Sequence, residues 1–192
     1  MIREQDENAV LASFVNWDNI NVGIIENGFG VTKVATNYKP GGDAELTNKI
    51  CDYLEDNNPT LLFVQFDEVD YAGENKGGFG KAAHLAQITT TDGYIKRIYE
   101  AYEAKGILED TLFIVTADHG GINSTHGGSS DAEMNVMFAV AGKTVLPGSQ
   151  IGAMDLCDTA AIVIDALGYE APTYWSASIP NGLFDGDDEE LA

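Results

Sequence analysis

Basic residues and cysteines are scarce in this chain. Its 192 residues include 10 Lys and Arg against 31 Asp and Glu, which gives a formal net charge of −21. Binding to a nucleic acid duplex or to an anionic membrane depends on Lys and Arg, so this balance argues against both functions. The two cysteines, Cys51 and Cys157, are too few for a disulfide scaffold and are expected to be reduced thiols.

Long apolar segments are also missing. No apolar run approaches the roughly 18–20 residues that a bilayer-spanning helix needs, so we expect no membrane partner. The N-terminal sequence MIREQDENAV lacks the apolar core of a signal peptide, which leads us to expect a cytoplasmic protein. The hydrophobic fraction of 44% is nevertheless enough for a sizeable core.

The order of apolar segments predicts an α/β fold with a mostly parallel sheet and helices on both faces. Apolar runs predict strands at residues 61–66, 112–117 and 135–140, with a short strand candidate at 21–26. Helices are predicted at residues 43–57, 81–105 and 158–167, with Asp43 as the cap of the first, and a glycine-rich loop is predicted at residues 71–80. Residues 1–12 read as an entry helix or a loose terminus. The spacing between the strands at 61–66 and 112–117 predicts a crossover and a parallel pair.

The chain shows no clear internal boundary. We expect residues 1–184 to form one α/β domain. Residues 185–192 contain the run DGDDEE and are expected to be a disordered acidic tail.

Potential metal ligands follow two of the predicted strands. Asp70 comes shortly after the strand at 61–66, and Asp118 and His119 directly follow the strand at 112–117. His126 lies seven residues further on, in the same glycine-rich loop. Side chains at the carboxyl ends of parallel strands converge, and carboxylates with imidazoles bind divalent cations. The alternatives are a helix cap or turn for each Asp and a surface position for each His, while His84 is expected to be structural.

The motifs LFIVTADHGG and THGG, with FDEVDYAGENKGGFG upstream, resemble the metal-binding core of the alkaline phosphatase superfamily. The type I phosphodiesterase/nucleotide pyrophosphatase branch is the most similar, over roughly residues 60–180. The resemblance implies an alkaline-phosphatase-like core with two divalent cations, most simply zinc, for phosphoryl transfer. It assigns Asp118 and His119 to one cation, and Asp70 and His126 to the other.

Two positions depart from the family pattern. Glu74 stands where the family usually has a histidine, so the site is richer in oxygen and better suited to manganese or magnesium, or else it is degenerate. The family nucleophile, a Thr or Ser with a neighbouring Asp, lies on an upstream strand. Thr32 and Thr36 lack such an Asp, so no catalytic nucleophile is assigned within the chain.

We therefore expect the chain to correspond to the C-terminal half of such a catalytic core, with the N-terminal part of the sheet missing. A homodimer, or association with a missing N-terminal segment, would cover the sheet. The expected function is a metal-dependent phosphoric ester hydrolase domain acting on a phosphate ester or nucleotide-like small molecule. The alternative is a non-catalytic relative that serves as an interaction or divalent-ion-binding module.

Overall fold

The computed structural model describes residues 1–148 and 150–184 and contains both helices and strands. The strands are β1 (Leu11–Val15), β2 (Val31–Ala35), β3 (Leu61–Gln65), β4 (Phe113–Thr116) and β5 (Phe138–Ala141). The α-helices are α1 (Ile2–Gln5), α2 (Gly42–Asp56), α3 (Glu68–Asn75), α4 (Ala82–Ala104), α5 (Asp131–Met134) and α6 (Asp158–Ala166). The predicted α/β class is confirmed.

The described residues group into two compact units. The larger unit consists of Asn8–Ile107 and His119–Val136. The smaller unit consists of Met1–Glu7, Leu108–Asp118 and the described part of Met137–Ala192. The expectation of one domain over residues 1–184 stays a prediction, and the predicted acidic tail at 185–192 lies outside the described residues.

A three-stranded parallel sheet forms the centre of the larger unit, with strand order β2-β1-β3. Leu11 of β1 is in register with Val31 of β2 on one side and Leu61 of β3 on the other. Four of the five residues of β1 are buried. A strand with neighbours on both edges is shielded from water, so the short, weakly patterned run LASFV is stable there. The predicted helix or loose terminus at 1–12 is therefore wrong at its C-terminal end, where β1 begins.

The predicted strand at 21–26 is also wrong. Residues Ile20–Ile24 form a short π-helical turn, and the strand comes later, as β2. The buried residue of the turn is polar: Asn21 accepts a hydrogen bond from Ser13 Oγ at 2.7 Å and donates one to the Val34 carbonyl at 3.1 Å. The apolar residues Val22 and Ile24 are instead 72% and 69% exposed. The hydrogen bonds of the Asn21 side chain, rather than burial of the apolar residues, therefore favour the turn over a strand in this segment.

The predicted helices at 43–57 and 81–105 are confirmed as α2 and α4. Leu46, Ile50 and Leu54 recur every four residues along α2 and are all buried, which is the period of one helical face. Tyr53 of α2 packs against Phe14 of β1 with ring centroids 5.2 Å apart. At the other end of the helix, Asn16, which directly follows β1, donates to Asp43 Oδ1 at 2.8 Å, so the start of α2 lies beside the carboxyl end of β1.

In the smaller unit, β4 pairs with β5 in antiparallel fashion, and the helix predicted at 158–167 is confirmed as α6. The predicted parallel pair between the strands at 61–66 and 112–117 is not what the structure shows, because β3 bonds to β1 and β4 bonds to β5. Ile162 and Ile164 of α6 are buried. Across residues 1–148 and 150–184, no helix is long and apolar enough to cross a membrane.

Candidate metal centre

Two of the predicted metal ligands lie on one short helix. The sequence predicted a loop at 71–80, but α3 continues to Asn75, so Asp70 and Glu74 are separated by one helical turn. Residues three and four positions apart share a helix face. That face of α3 therefore carries Asp67, which precedes the first helical residue, and then Asp70, Tyr71 and Glu74.

The start of α3 is fixed by a buried carboxylate from α2. Asp43 Oδ1 accepts hydrogen bonds from the backbone N–H of Asp67 at 3.0 Å and from Asn16 Nδ2 at 2.8 Å. Its Oδ2 accepts from the backbone N–H of Glu68 at 3.0 Å. These bonds satisfy N–H groups that the first turn of a helix leaves without partners. Burial raises the pKa of Asp43, and the hydrogen bonds to its carboxylate oppose that rise.

The sequence indicated Asp43 as a cap for the helix that begins near it. The structure instead places it within the first turn of α2, with its side chain bonded to the beginning of α3. The contact joins residues more than twenty positions apart, so no local sequence signal identifies it. Asp43 thereby sets the position of the helix that carries Asp70 and Glu74.

The loop that carries both site histidines is anchored by Glu133 of α5. The backbone N–H of Gly120 donates to the Glu133 carbonyl, and that of Gly128 donates to Glu133 Oε1, both at 2.8 Å. Ser130 Oγ donates to Glu133 Oε2 at 2.5 Å. These bonds from the Ser130 hydroxyl and the Gly128 N–H lower the pKa of Glu133. Glu133 thus holds both ends of the loop that contains His119 and His126.

The Phe79 side chain lies between this loop and α3. A Cβ added at Gly73 would lie 2.5 Å from Cε1 of the Phe79 ring, and one added at Gly121 would lie 2.5 Å from Cδ2. The backbone N–H of Phe79 donates to the Asn123 carbonyl at 2.6 Å. Only glycines allow the backbone of both segments to approach the ring so closely. One aromatic side chain therefore sets the distance between α3 and the histidine loop.

His84 packs against the Phe79 ring. Its Nδ1 accepts a hydrogen bond from the Gly80 N–H at 3.2 Å, and its ring centroid lies 5.2 Å from that of Phe79. These contacts agree with the structural role that the sequence indicated for His84. The role of Phe79 was missed, because the glycines that accommodate its ring, Gly73 and Gly121, meet it only through tertiary contacts.

Asp70, His119 and His126 converge in the larger unit. Each offers a ligand atom, and these atoms all lie within 4.8 Å of one another. His126 Nε2 lies 3.9 Å from Asp70 Oδ1 and 3.2 Å from Glu74 Oε1. The rings of His119 and His126 are stacked, with centroids 3.9 Å apart and planes inclined by 14°. We call these four residues the Asp70–His126 cluster.

The cluster has the chemistry of a divalent-cation site. The His126 and Asp70 side chains are 32% and 29% exposed, so the cluster is open to solvent but shielded on one side. Two imidazoles with two carboxylates form a mixed nitrogen and oxygen donor set, which suits zinc or manganese. His119 Nδ1 lies 2.9 Å from the Gly120 carbonyl, and a proton on Nδ1 would give Nε2 the lone pair that a metal ligand needs.

Four of the five predicted ligands are thus brought together, because Asp70, Glu74, His119 and His126 form the cluster. Asp118 is exposed and belongs to the smaller unit. The predicted division of the ligands between two cations, with Asp118 and His119 on one of them, stays a prediction.

Comparisons with known proteins bear on the same residues. A sequence model of the family "Type I phosphodiesterase / nucleotide pyrophosphatase" matches residues 13–167. GPI ethanolamine phosphate transferase 2 of Aspergillus fumigatus is 25% identical over 136 residues, which cover 70% of this chain and 18% of that protein. The chain therefore spans less than a fifth of the length of this curated relative.

The fold is similar to a solved phosphoglycerate mutase of Leishmania mexicana, whose structures were determined at low cobalt concentration. The TM-score is 0.64 at 18% sequence identity, and the match covers 93% of this chain and 38% of that one. This likeness confirms the predicted alkaline-phosphatase-like fold.

Proposed function

Because this chain belongs to the type I phosphodiesterase / nucleotide pyrophosphatase family, we propose that its Asp70–His126 cluster binds a divalent cation for phosphoryl chemistry. The chain is a phosphoester hydrolase-type domain. The observation that carries the metal proposal is the convergence of Asp70, His119 and His126, whose ligand atoms lie within 4.8 Å of one another. Such a grouping of imidazoles and a carboxylate is suited to metal ligation.

Asp70, His119 and His126 would hold the cation, with Glu74 as a further carboxylate ligand. The family resemblance favours zinc, and Glu74 shifts the preference toward manganese or magnesium. A second cation with Asp118 as ligand remains part of the proposal by resemblance. When bound, divalent cations polarise the phosphoryl oxygens and neutralise the charge that develops on them.

The protein side chains orient the site and set its charge. The contact of Glu74 with His126 Nε2 keeps the His126 ring turned toward Asp70. The Gly120 carbonyl beside His119 Nδ1 directs the opposite ring nitrogen away from the backbone. The carboxylates of Asp70 and Glu74 would repel a phosphate ester unless cations offset their charge. Substrate binding is therefore proposed to require prior metal binding.

We also propose that the attacking hydroxyl comes from outside these 192 residues. Thr36, one of the two threonines near β2, is buried and donates its hydroxyl proton to Asn16 Oδ1 at 2.8 Å. That hydroxyl is therefore part of the buried hydrogen-bond network around Asn16 and is not proposed as the nucleophile. Association with a further segment or a second copy would supply the nucleophile.

The substrate proposed is a phosphoric ester of a small molecule. By its name, the Aspergillus fumigatus relative transfers ethanolamine phosphate, so esters of amino alcohols belong among the first candidates. A nucleotide-like ester is the other class, suggested by the family description.

Hydrolysis of a nitrophenyl phosphate diester, measured with added zinc, manganese or magnesium, tests the proposal. Activity that depends on the metal and is lost in Asp70→Asn and His126→Ala would support it. Asp165→Asn, an exposed carboxylate on α6, serves as the matched control and should retain activity.

Metal binding without hydrolysis would support an external nucleophile, and activity should then return with a longer chain that includes the upstream segment. Glu74, in place of the histidine usual in the family, favours the second candidate function, a module without catalysis. Absence of both metal binding and hydrolysis, in this chain and in the longer one, would refute the enzyme proposal and leave the interaction module.

A further inference from the structure

Two consecutive residues after β2 have an unfavourable backbone conformation. Asn37 has φ 58° and Tyr38 has φ 48°, which places both in the left-handed region. Non-glycine residues are strained there and persist only where the surroundings impose the conformation. Glycine would adopt the same backbone without that strain. The presence of tyrosine at position 38 therefore calls for a role for its side chain.

The surroundings that impose this turn centre on buried Asn16. The Tyr38 N–H donates to the Asn16 carbonyl at 2.7 Å. The Asn16 side chain accepts from Thr36 Oγ1 and donates to Asp43 Oδ1, each at 2.8 Å. The same Asp43 carboxylate fixes the start of α3. The strained turn and the helix that carries Asp70 are thus held by one buried network.

The Tyr38 side chain projects toward α3. It is 49% exposed, and its ring meets that of Tyr71 edge-on, with centroids 6.5 Å apart and planes at 79°. Tyr71 lies on the face of α3 that carries Asp70 and Glu74. A cleft of about 30 Å³ lies at this contact. It is lined by Asn16, Tyr38, Lys39, Pro40, Asp67, Glu68 and Tyr71.

The charges around Tyr38 agree with this placement. Burial, followed by the carboxylates of Asp67, Glu74 and Asp70, raises the pKa of Tyr38. The phenol therefore keeps its proton at neutral pH and remains a hydrogen-bond donor. Tyr38 contacts Tyr71, which lies on the same face of α3 as Asp70 and Glu74, so the Tyr38 side chain lies on the side of the helix that carries these cluster residues.

We propose that Tyr38 contacts the substrate, with its hydroxyl donating a hydrogen bond to a phosphoric ester bound at the Asp70–His126 cluster. The cleft between Tyr38 and Tyr71 takes the alcohol portion of the ester. That portion is small, because the cleft is small. It carries no negative charge, because Asp67 and Glu68 border the cleft and the one lysine that lines it, Lys39, is paired with Glu45. This inference rests on the proposed function.

Binding of methyl p-nitrophenyl phosphate in the presence of saturating Mn²⁺, measured by calorimetry, tests the proposal. A hydrogen bond to a charged group contributes enough that Tyr38→Phe should weaken ester binding by about tenfold to a hundredfold. The affinity for Mn²⁺ alone should stay unchanged, because Tyr38 is not among the proposed ligands. A merely structural role would lower both affinities together.

Glycine variants separate strain from function. Asn37→Gly relieves strain beside Tyr38 but keeps the hydroxyl, so it should raise the melting temperature and leave ester binding unchanged. Tyr38→Gly relieves strain but removes both the hydroxyl and the ring contact with Tyr71, so ester binding should fall.

Tyr38→Phe binding the ester as tightly as the unaltered chain would overturn the inference. So would a matching loss of Mn²⁺ affinity in that variant. If the unaltered chain with bound Mn²⁺ fails to bind the ester at all, the proposed function fails, and the role of Tyr38 fails with it.

Discussion

Replacing Gly73 with alanine tests how α3 is held against the histidine loop. In the middle of a helix this change normally stabilises a protein by roughly 0.5–1 kcal/mol. Here the new Cβ would lie 2.5 Å from Cε1 of Phe79, and the ring has little room to move because its other edge packs against Gly121, where an added Cβ would also lie 2.5 Å from the ring. Overpacking of this kind costs about 1–3 kcal/mol. We therefore expect a net loss of about 1–2 kcal/mol in the free energy of unfolding.

The reasoning predicts a change of sign when the ring is removed. In a Phe79→Ala background, Gly73→Ala should again stabilise the chain by roughly 0.5–1 kcal/mol. The coupling between the two substitutions in a double-mutant cycle should be about 1.5–3 kcal/mol. Urea denaturation of the four variants supplies the free energies. Gly93→Ala in α4, where a Cβ would meet nothing within 4 Å, is the control and should stabilise.

If Gly73→Ala lowers the free energy of unfolding by the same amount with and without the Phe79 ring, the proposed packing of Phe79 between Gly73 and Gly121 is refuted. Metal affinity of the same variants extends the test, because Gly73→Ala should displace the helix that carries Asp70 and Glu74. A loss of Mn²⁺ affinity in Gly73→Ala but not in Gly93→Ala is the expected result.

Two further predictions concern the carboxylates that anchor the site. Asp43→Ala leaves the Asn16 amide and the backbone N–H groups of Asp67 and Glu68 without their acceptor. The free energy of unfolding, measured by urea denaturation, should therefore fall by about 3 kcal/mol or more. A loss below about 1 kcal/mol would contradict the role of Asp43. Folding lowers the pKa of Glu133 below its ordinary value of 4.5, so the ionised carboxylate stabilises the folded chain. This stabilisation is fully present above pH 4.5 and is lost as the pH falls through the lowered pKa of the folded state. The melting temperature of Glu133→Gln should therefore fall less steeply below pH 4.5 than that of the unaltered chain. If the melting temperatures of the two proteins depend on pH in the same way, the bonds of Glu133 to Ser130 and Gly128 do not contribute as described.

The sequence predicts those elements of this fold whose pattern is local. The run LLFVQF at β3 and the four-residue period of α2 each contain enough information to place the element. β1 was missed because LASFV has no strong pattern, and its stability comes from burial between β2 and β3. The strand predicted at 21–26 failed because Asn21, rather than its apolar neighbours, turns inward to bond Ser13 and Val34.

The candidate site was predictable in its residues but not in its arrangement. Asp70, His119 and His126 were identified from their positions after apolar runs and from family resemblance. The sequence placed Glu74 in a loop, whereas α3 puts it one turn from Asp70. The contributions of Asp43 and Phe79 depend on tertiary contacts, a hydrogen bond to the start of α3 and a ring between two glycines. Such contacts leave no periodic signal in the sequence.

The divalent-metal content of the purified chain tests the central claim most directly. Elemental analysis after equilibration with zinc or manganese and removal of excess metal should find at least one tightly bound ion per chain. His126→Ala should lose that ion, whereas Asp165→Asn should retain it. A chain that retains no ion with either metal, or a His126→Ala variant that binds as much as the unaltered chain, would contradict the assignment of Asp70, His119 and His126 as a metal site.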